Sequence, residues 1–277
     1  MEIKASQVKE LRDATGAGMM DAKQALVETQ GDKEAAIDWL RTKGLAKAAK
    51  KSDRLTAEGL VCVLADGDRG VAVEVNTETD FVARNSEFQD LVSGVSRLAF
   101  DAETVEDLLE MSMHGRTVAG VLSDKIATIG ENISIRRMSK LQGSMIASYV
   151  HNPVNAVMGK IGVLVALSEA DEEFGKQVAM HVAASNPAGL SEADLDPVIV
   201  EREKQVQLEI ARQSGKPEAV VEKMIAGRMK KFVAESTLLN QSFVIAPDVT
   251  VAKAAEEKSV KVTGFIRLQV GDGLGSE

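Results

Sequence analysis

Aromatic residues are scarce in this 277-residue chain: they make up 3% of it, as seven Phe, one Trp and one Tyr. A core built without them must rest on Ala, Val, Leu, Ile and Met. That favours helix, or helix with a modest sheet, and the 44% hydrophobic content is normal for a protein with a real core. Cysteine is nearly absent. Cys62 stands alone, so no intramolecular disulfide can form, and the cytoplasm is the expected compartment. Basic charge is also short: 33 Lys and Arg face 42 Asp and Glu, for a net charge of −9. Neutralising phosphates needs clustered Lys and Arg, so general nucleic-acid binding is disfavoured. No apolar run approaches the roughly 20 residues that a membrane helix needs, and Met1 to Gln7 is charged and polar, unlike a signal peptide. The expectation is a soluble cytoplasmic protein of one to three domains.

Residues 1–54 read as three short helices. Val8, Leu11 and Thr15 mark the first, with Ser6 as its N-cap and Gly16 and Gly18 as its stop. Ala22, Ala25, Leu26 and Thr29 mark the second, ending at Gly31. Asp32 caps the third, whose stripe is Ala36, Ile37 and Leu40 and whose end is Gly44. A unit this small has little room for a pocket and suits an interaction module. A basic linker follows, with Lys47, Lys50, Lys51 and Arg54. Residues 1–54 hold 11 basic and 9 acidic residues against 22 and 33 in the remainder, so the linker is either a solvated connector or a contact for an acidic partner.

From Glu58 the period changes to two, and Asp66-Gly67-Asp68 marks a hairpin turn before Gly70 to Val75. The spacing predicts helices over Glu87–Phe100, Val105–Ser112, Val118–Ala127 and Glu172–Ser185. It predicts strands over Ile133–Lys140, Ile146–His151 and Ile161–Leu167. Gly70 to Val75 resembles Gly162 to Leu167, and each run leads to a helix carrying Phe88 or Phe174. Ile135-Arg136-Arg137 and Ile266-Arg267-Leu268 form a second matching pair, so the core reads as two related α+β subdomains, over 55–142 and 143–270. The first copy carries extra residues around Thr79 to Asn85, a position where function often sits. Within the second copy, at about 197–235, Ile199, Val206, Ile210 and Gln213 face Val221, Ile225, Met229 and Phe232 across Gly215-Lys216-Pro217. That is the pattern of a protruding antiparallel helical hairpin with an apolar seam. A short helix over Val251–Lys258, a strand over Lys261–Val270 and a tail over 271–277 close the chain.

No catalytic constellation emerges. The phosphate-cradling pattern is absent, His114, His151 and His181 are not at metal spacing, and no Ser or Cys stands in a nucleophile elbow. His181 reads as a packed histidine. His151, before Asn152-Pro153, reads equally as a turn residue or a partner contact. No metal and no cofactor are expected. Phe81 is either a core anchor for the next helix or an exposed wedge flanked by Asp80, and burying such a ring in a partner is worth roughly 1.5–3 kcal/mol. Met19 and Met20 are either core filling or an adaptable protein-binding surface.

Several segments together resemble the elongation factor Ts family. They are Val8 to Arg12 with Thr15 to Asp21, the run Thr79-Asp80-Phe81-Val82-Ala83, Ile129 to Ile133 with Arg136-Arg137, His181 to Ala184, and Gly227 to Phe232. The likeness runs in order from about residue 3 to residue 273. It implies a ubiquitin-associated-like three-helix module at the N-terminus and a binding protein that promotes release of guanosine diphosphate from elongation factor Tu. By the same likeness, Thr79, Asp80, Phe81 and Val82 enter the nucleotide-binding domain of that partner, and Ile129 and Gly130 touch the same domain. Arg12, Met19, Met20 and Lys51 bind another helix of it, and His151 faces the far domain. Such a factor binds no nucleotide itself and needs no covalent chemistry. Factor and nucleotide weaken each other's binding by the same ratio. Family members commonly continue into an acidic, alanine-rich helix, whereas this sequence stops at Glu277, which puts that contact in doubt. A homodimer through the core or the hairpin is a further expectation. An adaptor unrelated to translation and an enzyme with a cryptic site are the other readings.

Overall fold

A computed structural model of the chain describes residues 3–213 and 217–274. Three helices open it: α1 (Ala5–Thr15), α2 (Met19–Glu28) and α3 (Lys33–Ala49). They close around Val8, Leu11, Ala22, Ala25, Leu26 and Ala36. Three local expectations change. Lys4, not Ser6, is the N-cap of α1, because the Gln7 side chain reaches back to accept from the Lys4 N–H. Ile37 is exposed rather than part of the buried stripe. Gly44 does not end α3. It is buried within the helix, where an added Cβ would stand 3.3 Å from that of Ala127, so it serves close packing of two helices.

The chain then forms β1 (Glu58–Asp66), β2 (Arg69–Thr77), α4 (Asp80–Ala83), α5 (Ser86–Leu98), α6 (Val105–Glu110), β3 (Ser112–Met113), β4 (Arg116–Thr117), α7 (Val118–Ile129) and β5 (Ile133–Gln142). It continues with β6 (Met145–Asn155), β7 (Met158–Leu167), α8 (Glu172–Ser185), α9 (Pro197–Gln213), α10 (Glu218–Ser236), β8 (Ser242–Phe243), β9 (Ala246–Thr250), α11 (Val251–Glu257) and β10 (Val262–Gln269). The fold is mixed α+β, and every strand pair named here is antiparallel. β1 and β2 form a hairpin and β5 adds to β2. β6 and β7 form another, and β10 adds to β7. Met158 and Gly159 of β7 also pair with β1, which joins both groups into one six-stranded sheet.

The first group packs under α5, α6 and α7 around Phe88, and the second packs under α8 and α11 around Phe174. A third cluster lies between the groups, where Val61, Val63 and Ala72 meet Ile146, Leu164 and Leu268. Gly162 makes that meeting close: a Cβ there would lie 2.5 Å and 2.7 Å from methyls of Val61 and Val63. Buried Glu74 fastens the joint. Its carboxylate accepts from Arg137 Nε at 2.6 Å, from Asn76 Nδ2 at 3.0 Å and from the Gly271 N–H at 2.8 Å.

Two further expectations fail. β6 does not stop at His151 but continues through Asn152 and Pro153, which an edge strand tolerates, since proline's missing N–H costs no ladder bond there. The reversal comes at Asn155, whose Oδ1 accepts from the Val157 N–H. In α9, Ile199, Val206 and Ile210 face solvent instead of an apolar seam. Ala211 and Val221 are buried, and Arg228 of α10 donates to Gln207 of α9 at 2.8 Å, so the contact between the helices is partly polar. Gly215 and Lys216, expected to separate them, lie outside the described residues.

His181 is buried on α8 with both ring nitrogens engaged. Nε2 donates to Gln241 Oε1 at 2.8 Å, and Nδ1 accepts from the Val244 N–H at 3.2 Å. A second proton would break the Val244 bond. Burial pushes the pKa below the ordinary 6.5, with the Gln241 bond opposing in part. The unfolded chain therefore takes up this proton first. The contribution of His181 is complete above pH 6.5 and is lost as pH falls below it, so His181→Gln should flatten the slope of unfolding free energy on the acid side of pH 6.5 in chemical denaturation. Gly162→Ala should cost about 1–3 kcal/mol in the same assay, because short β-branched neighbours leave no room for a methyl.

Candidate functional site

The site is built around α4, a single helical turn between β2 and α5. Val82 and Ala83 point into the first core and are buried. Asp80 and Phe81 are left on the outer side. Phe81 is 80% exposed, so the core-anchor alternative fails and the ring is a protrusion. Asp80 accepts from Arg84 at 3.0 Å, one turn on. Asn85 caps the next helix through Oδ1 to the Glu87 N–H at 2.7 Å, which ends the loop sharply.

The backbone leading into α4 is held from below by Glu131. Its Oε2 accepts from Thr77 Oγ1 and from the Thr79 N–H, both at 2.9 Å, and its Oε1 accepts from Thr79 Oγ1 at 2.6 Å. Burial works to raise the Glu131 pKa, but these bonds override it and hold the carboxyl below its ordinary value. Glu78 returns the contact: its Oε1 accepts from the Asn132 N–H at 2.6 Å, and its carboxylate pairs with Arg54.

Behind Glu131, Gly130 ends α7 in the left-handed region at φ +92°, a conformation that favours glycine. The Lys51 ammonium donates to the freed Gly130 carbonyl at 2.5 Å. Asn132 Nδ2 donates to the carbonyls of Ser52 and Arg54. The basic linker is thus bound within the chain: Lys47 pairs with Asp21, Lys51 caps α7 and Arg54 meets Glu78. Burial pushes the Lys51 pKa down, with nearby Arg54 adding to it.

The structure therefore brings Thr79, Asp80, Phe81, Val82, Gly130 and Lys51 into one bonded region, with half-buried Ile129 packed beneath it. The helical module adjoins the same end of α7, since Gly16 faces the Thr128 methyl. Met19 and Met20 open α2 and are exposed, Met20 by 75%, so the core-filling alternative fails for them as well. Arg12 is exposed and pairs with Asp13. His151 stands apart on β6, exposed, with Nδ1 3.2 Å from the Tyr149 hydroxyl. Glu131 and Glu78 were not singled out as site residues by sequence. Glu131 lies inside the run Ile129 to Ile133 that carries the family resemblance, but nothing local to it gave the carboxylate a role.

Two clefts, of about 820 and 420 Å³, lie along β6 and between the helical module and α7, and Phe81 lines neither. Among the described residues no three His, Cys, Asp or Glu side chains cluster as metal ligands, and no helix is long and apolar enough to cross a membrane. Burial pushes the Cys62 thiol up to about 11, so at neutral pH it is not a thiolate.

An α+β chain presenting a braced loop with a bare aromatic belongs, on comparison with known proteins, to the elongation factors of protein biosynthesis. The sequence profile of the family described as Elongation factor TS matches residues 78–272. Elongation factor Ts of Ruegeria sp. (strain TM1040) is 68% identical over 277 residues, covering 100% of this chain and 95% of the relative. The protein of that name from Ruegeria pomeroyi is 65% identical over 274 residues, covering 99% and 94%, and that from Jannaschia sp. (strain CCS1) is 62% identical over 274 residues with the same coverage. The chain belongs to the elongation factor Ts family.

Asn132→Ala removes both donors to the linker carbonyls. The expected cost is about 1–3 kcal/mol, read by chemical unfolding, with amide exchange accelerated across residues 50–56 ahead of the sheet.

Proposed function

We propose that this chain binds elongation factor Tu and promotes release of its guanosine diphosphate, so that guanosine triphosphate can load, with Phe81 as the wedge. Membership of the family supports the activity. The observation that carries the means is the exposure of Phe81 on a loop fixed from beneath. A ring held in solvent gains roughly 1.5–3 kcal/mol when a partner buries it. That gain is available only to the partner conformation that opens to receive it. The nucleotide-free state is then bound better, and nucleotide affinity falls by the reciprocal factor. Proton transfer and covalent intermediates have no part in this scheme.

The other contacts follow from the same reading. Asp80 assists the wedge, with Thr79 and Val82 carrying the loop, and Ile129 and Gly130 meet the same domain of the partner. Exposed Met19, Met20 and Arg12 bind a further helix of it through the ubiquitin-associated-like module of residues 1–54. Lys51 binds there with them, its ammonium also donating to the Gly130 carbonyl. His151, on the subdomain of residues 143–270, faces the far domain. The subdomain of residues 55–142 supplies the wedge. The exposed apolar side chains of α9 support its reading, with α10, as a projecting arm for a partner or a second copy of this chain. The cytoplasm is the compartment in which elongation takes place.

Release of a fluorescent guanosine diphosphate from elongation factor Tu tests the wedge. The full chain should accelerate release, and Phe81→Ala should slow the accelerated rate roughly 30-fold at limiting factor, the equivalent of about 2 kcal/mol. No acceleration by the unaltered chain would refute the exchange activity.

A further inference from the structure

We propose that Glu131 is a positioning residue for exchange: its carboxylate holds the backbone leading into α4 so that Phe81 stands out of the fold, ready to bind. This deepens the wedge reading and rests on it. A phenylalanine ring in water is drawn towards any apolar surface nearby, so a ring kept 80% exposed needs a backbone that cannot fold it back. In α4 that restraint comes from both ends. Val82 and Ala83 are packed into the core below. Thr79 sits at the N-cap with φ −129° and ψ 156°, yet its hydroxyl does not cap the helix. It donates to Glu131 Oε1 instead, while the Thr79 N–H and the Thr77 hydroxyl donate to Oε2.

Three donors on one carboxylate are a strong restraint, because hydrogen bonds to an ionised acceptor are about twice as strong as neutral ones. Glu131 is itself immobilised. Lys51 grips the carbonyl of Gly130 before it, and Asn132 after it is bonded to Glu78, Ser52 and Arg54. The stitching is reciprocal, since Glu131 holds residues 77 and 79 while Glu78, between them, holds residue 132. Because those bonds keep the carboxyl below its ordinary value, the clamp stays ionised at neutral pH.

A positioning role has a kinetic signature. If the clamp is lost, the competent loop is populated for only a fraction of the time, and apparent affinity falls by that fraction while the partner, once engaged, responds as before. With the full chain and elongation factor Tu carrying fluorescent guanosine diphosphate, Glu131→Ala should raise the half-saturating factor concentration roughly tenfold and leave the saturated release rate within about twofold of the unaltered chain. Glu131→Gln, which keeps one carbonyl acceptor, should fall between them. In a Phe81→Ala background, Glu131→Ala should add less than about a twofold change, because a clamp without its wedge has nothing to position.

Full additivity in that double variant would overturn the proposal and assign Glu131 to direct contact or general stability. A normal half-saturation for Glu131→Ala, with Phe81→Ala still slow, would overturn the clamp alone. Normal release by Phe81→Ala would overturn the wedge reading beneath it. Should Glu131→Ala not fold, as read by circular dichroism, Thr77→Val removes a single donor. It should raise half-saturation about threefold, and no rise would refute the clamp.

Discussion

One strand holds the two halves of this protein together. β7 gives one edge to β6 along its length and divides the other edge between β10 and β1. The pairing of β1 with this segment is short, ending with the bond from the Val63 N–H to the Val157 carbonyl, and β1 packs Val61 and Val63 against Ile146, Leu164 and Leu268. Val61 and Val63 lie against Gly162, and no side chain larger than hydrogen fits there without movement. The third hydrophobic cluster fills this meeting, and buried Glu74 ties β2, β5 and the segment after β10 to one carboxylate. Removing one partner of such a buried charge leaves the other uncompensated, so Glu74 makes the joint specific more than it makes it strong.

Much of this was legible in the sequence, and the parts that were not share a cause. The helix over Glu172–Ser185 was expected at its observed limits, because its cap, period and left-handed Asn186 terminus are all local signals. The resemblance of Gly70–Val75 to Gly162–Leu167 falls on β2 and β7, each the middle strand of three in its group. Gly44 misled because a glycine inside a helix and a glycine ending one look alike until the partner helix is known. Asn152-Pro153 misled because only an edge strand absorbs that pair, and edge position is not a local property. In α9 the apolar spacing was real, but it marks an outward face.

The site divides in the same way. Its protruding residue, Phe81, was conspicuous because the chain has so few aromatics. What fixes Phe81 was not. Glu131 lies 52 positions from Thr79, and a polar bond across that distance leaves no period and no composition bias. The Lys51 ammonium, expected on a partner, donates to the carbonyl that ends α7, so a charge that looked free in a basic linker also has a place in the frame. The helical module, the end of α7 and the α4 loop are consequently linked by contacts and hydrogen bonds, and exposed Met19, Met20 and Phe81 are carried on these linked elements. Preorganisation of this kind lowers the ordering cost of association.

A protein that keeps a bare phenyl ring and two methionines in water is exposed to a hazard of its own making, because the same surfaces that recognise a partner can recognise each other. Bare apolar patches promote self-association, and net charge away from zero opposes it. The excess of 42 acidic over 33 basic side chains therefore has a colloidal consequence. Like-charged copies repel at distances where the ring has no reach, and each sticky loop is reserved for a partner whose surface can overcome that repulsion.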